Sequence, residues 1–206
     1  MEEKGLFITF EGADGCGKTT QSELIKQYLE NKGYQTIWTR EPGSPGLGKK
    51  IRELLLHYDG DVAPRCEAFL FLADRAQHIE HTIKPAVKAG KIVLCDRHTD
   101  STIAYQGYGR GEDIKQLKYL NDIATGNIKP DLTFVFDVSS EVAQTRVGSE
   151  KDRMESAGLE FHKKVREGYL KIAQEEPLRV KVVNANNSIE EVFEETRAIL
   201  DEFLNQ

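Results

Sequence analysis

Between Gly12 and Thr19 the chain reads Gly12-Ala13-Asp14-Gly15-Cys16-Gly17-Lys18-Thr19, which fits the pattern G-x-x-x-x-G-K-[ST]. Glycines at these positions let backbone N–H groups turn inward around a phosphate, and the helix that follows adds its positive end. Lys18 supplies a point charge for the β- and γ-phosphates, and the Thr19 hydroxyl is placed for Mg²⁺. The pattern therefore implies binding of a nucleoside triphosphate. Cys16, inside the loop, could be exposed, but a small residue filling a loop position is expected ahead of a redox role.

Other charged residues fall where such a ligand needs them. Arg40 opens Arg40-Glu41-Pro42-Gly43-Ser44-Pro45-Gly46, a loop made irregular by its prolines and glycines. Its guanidinium can clamp a phosphate in a bidentate way or form a salt bridge to Glu41 or another surface acid. The apolar run Ile92-Val93-Leu94-Cys95 ends in Asp96-Arg97-His98. There an acid can orient Mg²⁺ and a base can hold a phosphate, or the two can form a structural ion pair. His98 suits packing or hydrogen bonding better than base catalysis, because phosphoryl transfer asks mostly for positioning and charge. Phe71 and Arg75 are four apart on one helix face. A ring and a guanidinium there can stack on a base and donate to its carbonyl; otherwise Phe71 joins Phe69 and Leu72 in the core and Arg75 is solvated. Residues 139–158 form a polar, glycine-punctuated segment of the kind that makes mobile lids.

These residues need a scaffold that brings them together. Strand-like runs recur at 6–10, 35–39, 91–95, 132–138 and 179–183, with helix-like segments between them. Helices are expected over Thr20 to Lys32 and about 65–80. Further helices are centred on Ile114, Leu117, Leu120 and Ile123, and on Phe161, Val165, Tyr169 and Ile172. The last opens with a capping box at Ser188-Ile189-Glu190-Glu191 and buries Ile189, Val192, Phe193, Thr196, Ile199, Leu200 and Phe203. Alternating strands and helices predict an α/β fold with a parallel sheet covered on both faces. Ligands then bind at the carboxyl ends of strands, just after residues 10, 39, 95 and 138.

Composition narrows the setting. The 206 residues suggest one domain, 1–206, and the net charge of −6 points away from an extended nucleic-acid surface. No apolar run is long enough for a membrane span, and the N-terminus lacks the pattern of a signal peptide. Cys16, Cys66 and Cys95 form no disulfide framework, so a reduced, cytoplasmic setting is expected.

Taken in order, Phe10-Glu11-Gly12-Ala13-Asp14-Gly15-Cys16-Gly17-Lys18-Thr19-Thr20, Thr39-Arg40-Glu41-Pro42-Gly43, Asp96-Arg97-His98 with Ser101 and Ala104-Tyr105-Gln106, and Asp152-Arg153 before Gly158-Leu159-Glu160-Phe161 resemble thymidylate kinases. The glycine loop alone is generic, whereas the Arg-Glu-Pro-Gly loop and the Asp-Arg element ending in Ala-Tyr-Gln are specific to that family. The resemblance implies a P-loop kinase-like, three-layer α/β/α domain with a five-stranded parallel sheet and a short lid. It implies transfer of the γ-phosphoryl of ATP to dTMP with Mg²⁺, in a homodimer. ATP would lie on Gly12 to Thr20 and against Arg146, with Mg²⁺ at Thr19 and Asp96. By the same resemblance Asp14 would bond the sugar 3′-hydroxyl, and Arg40 and Arg97 would hold the acceptor phosphate. Phe71 would stack on thymine and Arg75 would reach a base carbonyl. Tyr105 would crowd the 2′ position, with Gln106 and Ser101 lining the same pocket. Lys18, Asp96, Arg97 and Arg153 would carry catalysis. Gly15 stands where one branch of the family has an arginine, so charge would come from the lid as in the bacterial-type branch. The basic residues there are Arg146, Lys151 and Arg153, of which Arg153 is favoured. His98 replaces a common aromatic, and Asn184 a frequent aspartate.

Rival readings lack their marks. A GTPase needs a guanine-reading N-K-x-D segment and a transport ATPase a loop such as L-S-G-G; neither occurs. A sibling nucleotide kinase would not need Phe71, Arg75 and Tyr105 together. A degenerate nucleotide-binding scaffold would not need Lys18, Thr19, Asp96 and Arg97 intact.

Overall fold

The computed structural model describes residues 5–146 and 153–205. Five parallel strands form one sheet in the order β2-β3-β1-β4-β5. They are β1 (Leu6–Glu11), β2 (Thr36–Arg40), β3 (Ile92–Asp96), β4 (Leu132–Asp137) and β5 (Val180–Asn184). The three central strands are the near-continuous apolar runs, as strands covered on both faces should be. The edge strands β2 and β5 are only partly buried.

The pleat divides the side chains between two helical layers. Ile8 and Phe10 meet Ile25 and Leu29 of α1 (Lys18–Asn31) and Val192 and Leu200 of α9 (Ile189–Leu204). On the other face Phe7, Val93 and Cys95 meet Ile79 and Ile83, in a π-helical turn that continues α3 (Pro64–His78) into α4 (Lys84–Lys88). Val135 and Val180 pack with Val165, Tyr169 and Ile172 of α8 (Leu159–Glu175). In that layer α2 (Leu47–His57) lies against α3. There too the short α5 (Thr99–Thr102) runs into a π-helical stretch over 103–109 that packs on α8 and α6 (Ile114–Thr125).

Helix ends follow local chemistry. Asp113 caps α6 through the N–H of Gln116, and Gly126 ends it in the left-handed region that glycine tolerates best. The capping box of Ser188 and Glu191 opens α9 as expected. Two helix faces differ from the expected pattern. Ile123 is 60% exposed while Asn121 and Thr125 are buried, because Asn121 accepts a hydrogen bond from the buried Arg75. Ile189 is 55% exposed, at the mouth of a cavity rather than in the core. Phe69 is likewise 51% exposed, not a core residue. Of the expected lid, α7 (Ser140–Arg146) and residues 153–158 are described, and Lys151 and Asp152 lie outside the described residues.

Candidate active site

Strand register sets the site. Arg40 and Phe10 both lie abreast of Asp96, so the ends of β2, β3 and β1 arrive at one level. A cavity of about 720 Å³ opens there, lined by Asp14 to Gln21, Arg40, Asp96, Arg97, Arg146 and, after β5, by Ala185, Asn187 to Ile189 and Val192. The expected positions after β1, β2 and β3 line it. After β4 the chain reaches the cavity at Arg146 of α7, which donates to the carbonyl of Ala185 at 2.9 Å, and the turn after β5 completes that wall.

The glycine loop is shaped by sterics. Gly12 has φ +139°, and a Cβ there would sit 2.7 Å from the carbonyl oxygen of Phe136 and 2.8 Å from Cys16 Sγ. Gly17 begins α1 in the left-handed region with no side-chain cap, so the helix's first N–H groups stay open for an anion. Cys16 is buried, not exposed, and burial pushes its thiol above the usual range. Lys18 Nζ donates to the carbonyl of Ala13 at 3.0 Å, which folds the cation against its own loop. Thr19 and Thr20 are exposed at the cavity. Thr19 Oγ1 donates to Asp96 Oδ2 at 3.0 Å, while buried Asp96 Oδ1 has no hydrogen-bond partner among the described residues. An orphan carboxylate oxygen beside a hydroxyl suits a small hard cation that keeps several waters.

Arg97 is the most constrained cation here. Its backbone is left-handed, at φ 70°, which costs a non-glycine residue on the order of 1–3 kcal/mol. Its Nη2 donates to Asp14 at 2.5 Å and to Tyr105 Oη at 3.1 Å. Its Nη1 donates to the carbonyl of Gly12 at 2.9 Å, and reaches Ser101 and Tyr169 hydroxyls at 3.3 and 3.2 Å. Asp14 Oδ2 also accepts from Tyr105. Burial works against the charge on Asp14, but Arg97, then Lys18, hold its carboxyl well below the usual range. The ion pair thus joins Arg97 to Asp14, not to Asp96.

A second, smaller chamber of about 80 Å³ shares Asp14, Glu41, Arg52 and Arg97 with the first. Phe71, Ser101, Tyr105, Gln106, Leu56 and Met154 line the rest of it with Pro42 and Thr102. Arg75, one helical turn from Phe71, is only 1% exposed. Its guanidinium is held by Glu41 at 2.9 Å, Thr102 and Asn121 at 2.7 Å, and the carbonyl of His98 at 2.8 Å. Arg40 is exposed in the large cavity. Arg153 lines neither cavity: it donates to the carbonyl of Leu55 at 2.9 Å and to Glu67 at 2.6 Å.

Sequence reasoning passed over several residues. Arg52 borders both chambers and donates to the carbonyl of Pro42 at 2.9 Å. Its only sequence signal was a cation in the first helix after the Arg-Glu-Pro-Gly loop. Glu11 ends β1 as Asp96 ends β3, which was a usable signal. It accepts from the His98 N–H at 2.7 Å, Ser101 at 2.6 Å and Tyr169 at 3.0 Å. Glu41 pairs with Arg75 and bonds His78 and His98, each at 2.9 Å. Nothing local to it predicts that set. Glu41, His78 and Cys95 bring potential ligand atoms within 4.8 Å of one another, but two of the three are committed to this buried network.

A phosphate cradle at the carboxyl edge of a parallel sheet, opening into a second chamber across a fixed arginine, defines a phosphate-loop kinase. The thymidylate kinase family model matches residues 10–196. A thymidylate kinase of Desulfovibrio desulfuricans is 44% identical over 98% of this chain and 97% of its own length. One of Bifidobacterium longum is 48% identical, covering 92% of this chain and 94% of its own. The crystal structure of thymidylate kinase from Ehrlichia chaffeensis superposes with a TM-score of 0.78 at 38% identity, covering 95% of this chain and 98% of that one. The chain belongs to the thymidylate kinase family.

Proposed function

We propose that the two chambers divide the work of one phosphoryl transfer, with ATP in the larger and the acceptor in the smaller. The chain phosphorylates dTMP to dTDP with the γ-phosphoryl of ATP, a step in dTTP synthesis. The observation that carries this division is the shared border: Asp14 and Arg97 line both cavities, where donor and acceptor phosphates must meet. In our reading Gly12 to Thr20 cradle the triphosphate and Lys18 follows its β- and γ-phosphates. Arg97 and Arg40 hold the acceptor phosphate, and Asp14 and Tyr105 face its sugar. Phe71 and Gln106 line the base end with Ser101, and Arg75 braces it from behind. Mg²⁺ would be held by Thr19 and Asp96; it would neutralise charge on the phosphate oxygens. No strong base is required, since the acceptor is already a phosphate oxygen.

Arg146 and Arg153 are the two lid arginines proposed to meet the transferring phosphoryl. Support for Arg146 is its position at the rim of the large cavity. Arg153 comes from the resemblance; it is held by the carbonyl of Leu55 and by Glu67, and it would have to leave them to reach the phosphates. The same reading takes the chain as a single-domain, cytoplasmic homodimer. Support for the dimer comes from exposed Leu54, Phe69 and Tyr119 on α2, α3 and α6, helices that pack in that order. Among the described residues no helix is long and apolar enough to cross a membrane.

The deciding experiment is ATP-dependent phosphorylation of dTMP, dUMP, dCMP, AMP and GMP with and without Mg²⁺. Strong preference for dTMP, abolished by chelation, is the expected result. Preference for another monophosphate would remove the base-chamber assignments and keep the phosphate chemistry.

A further inference from the structure

Glu67 sits on α3, 1% exposed, and lines neither chamber. Its Oε1 accepts from Gln106 Nε2 at 2.9 Å and from Arg110 Nε at 3.3 Å. Its Oε2 accepts from Arg153 Nη1 at 2.6 Å and Arg110 Nη2 at 3.3 Å. A carboxylate facing two guanidinium groups is an acceptor only. An amide beside it has one workable orientation: NH₂ toward the carboxylate, carbonyl away. Gln106 is buried, lines the smaller chamber, and its Oε1 takes no hydrogen bond among the described residues. Gln106 is therefore held as an acceptor toward whatever fills the chamber.

We propose that Glu67 is a positioning residue for base selection. By fixing the Gln106 amide, it makes the chamber favour a pyrimidine ring that offers an N–H at position 3. Thymine and uracil offer that N–H, whereas cytosine has a lone pair there and meets the carbonyl oxygen as like against like. Free to turn over, the same amide would serve either ring and select neither. Desolvation sharpens the choice, because a buried polar group left unpaired is penalised more than a missing methyl. The inference rests on the reading that the base occupies the smaller chamber.

The test compares kcat/KM for dTMP, dUMP and dCMP in wild type, Glu67→Gln, Gln106→Ala and the double variant. Glutamine at 67 keeps the shape but can present either its oxygen or its NH₂, so Gln106 loses its fixed orientation. The dTMP-to-dCMP ratio is expected to fall by on the order of tenfold in Glu67→Gln, mainly through a higher KM for dTMP. The dTMP-to-dUMP ratio and the KM for ATP should stay within about twofold of wild type, since neither depends on this amide. Because each ratio is taken on one preparation, loss of folded enzyme cancels. In the double variant the ratio should match Gln106→Ala alone, as an effect routed through Gln106 requires. A wild-type ratio in Glu67→Gln together with a fallen one in Gln106→Ala would overturn the role of Glu67 and leave the chamber reading standing. Additive losses in the double variant would also overturn it. A wild-type ratio in Gln106→Ala would remove the chamber reading, and this inference with it.

Discussion

Glu11 and Glu41 are both buried at the carboxyl edge of the sheet, Glu11 as the last residue of β1 and Glu41 as the first after β2, the strands that flank β3. His98 touches both, giving its N–H to Glu11 and bonding Glu41 through Nδ1. Their protonation runs in opposite directions. Burial, aided by the nearby charge of Asp100, raises the Glu11 carboxyl from 4.5 to about 7. Burial also opposes ionisation of Glu41, but His98, Arg75 and His78 together hold it well below the usual range. Burial pushes His98 itself toward the neutral form, so Arg75 is the lasting countercharge. Glu11 has hydroxyls and a backbone N–H for partners, with Arg97 held by Asp14 instead. The lesson is that depth does not decide whether a carboxylate stays charged; a dedicated cation does.

The largest test of that contrast is Glu41→Gln. It leaves Arg75 as a buried cation without an anion and should cost about 3–5 kcal/mol of stability, read by urea unfolding at pH 7.5. Glu11→Gln should behave differently. A raised folded-state pKa means that the native state keeps a proton the unfolded chain has lost. The associated stability is complete below pH 4.5 and gone above about pH 7. Wild type should therefore lose up to about 3 kcal/mol across that window, and Glu11→Gln should lose much less of it. Unfolding curves at pH 5 and 8 measure this, and equal slopes for both proteins would break the comparison.

Smaller effects probe the cations of the site that are committed elsewhere than to Glu11. Lys18→Ala and Arg97→Ala should each lower turnover by on the order of a hundredfold or more, as lost electrostatic donors do. Near-wild-type turnover in either would remove that residue from the chemistry. Asp14→Ala should raise the KM for dTMP about tenfold, the worth of one charge-assisted hydrogen bond, with the KM for ATP nearly unchanged. Equal losses for both substrates would tie Asp14 to the glycine loop itself.

Much of this was legible in the chain. The glycine loop, its strand and its helix are contiguous, so local sterics suffice to read them. Five apolar runs separated by amphipathic segments specify a parallel sheet, because each run can be buried only between helical layers. Asp96 and Arg97 were readable because an acid and a base ending an apolar strand must emerge at the ligand edge. Helix faces were read less well: Ile123 and Ile189 obey the period yet face outward, since burial went to Asn121 and to the cavity wall.

Long-range partners were out of reach. Spacing pairs Arg40 with Glu41 and Asp96 with Arg97, its neighbours in the chain; folding pairs Glu41 with Arg75 and Arg97 with Asp14. Nor does spacing say that Arg153 meets Glu67, 86 residues away, or that Gln106 leans on the same carboxylate. The sequence by itself determined the chemistry available, the sheet that gathers it, and the family. Only the tertiary structure decided which charges meet and which amide atom faces the chamber. Those choices depend on packing between segments far apart in the chain, and no local pattern carries that information.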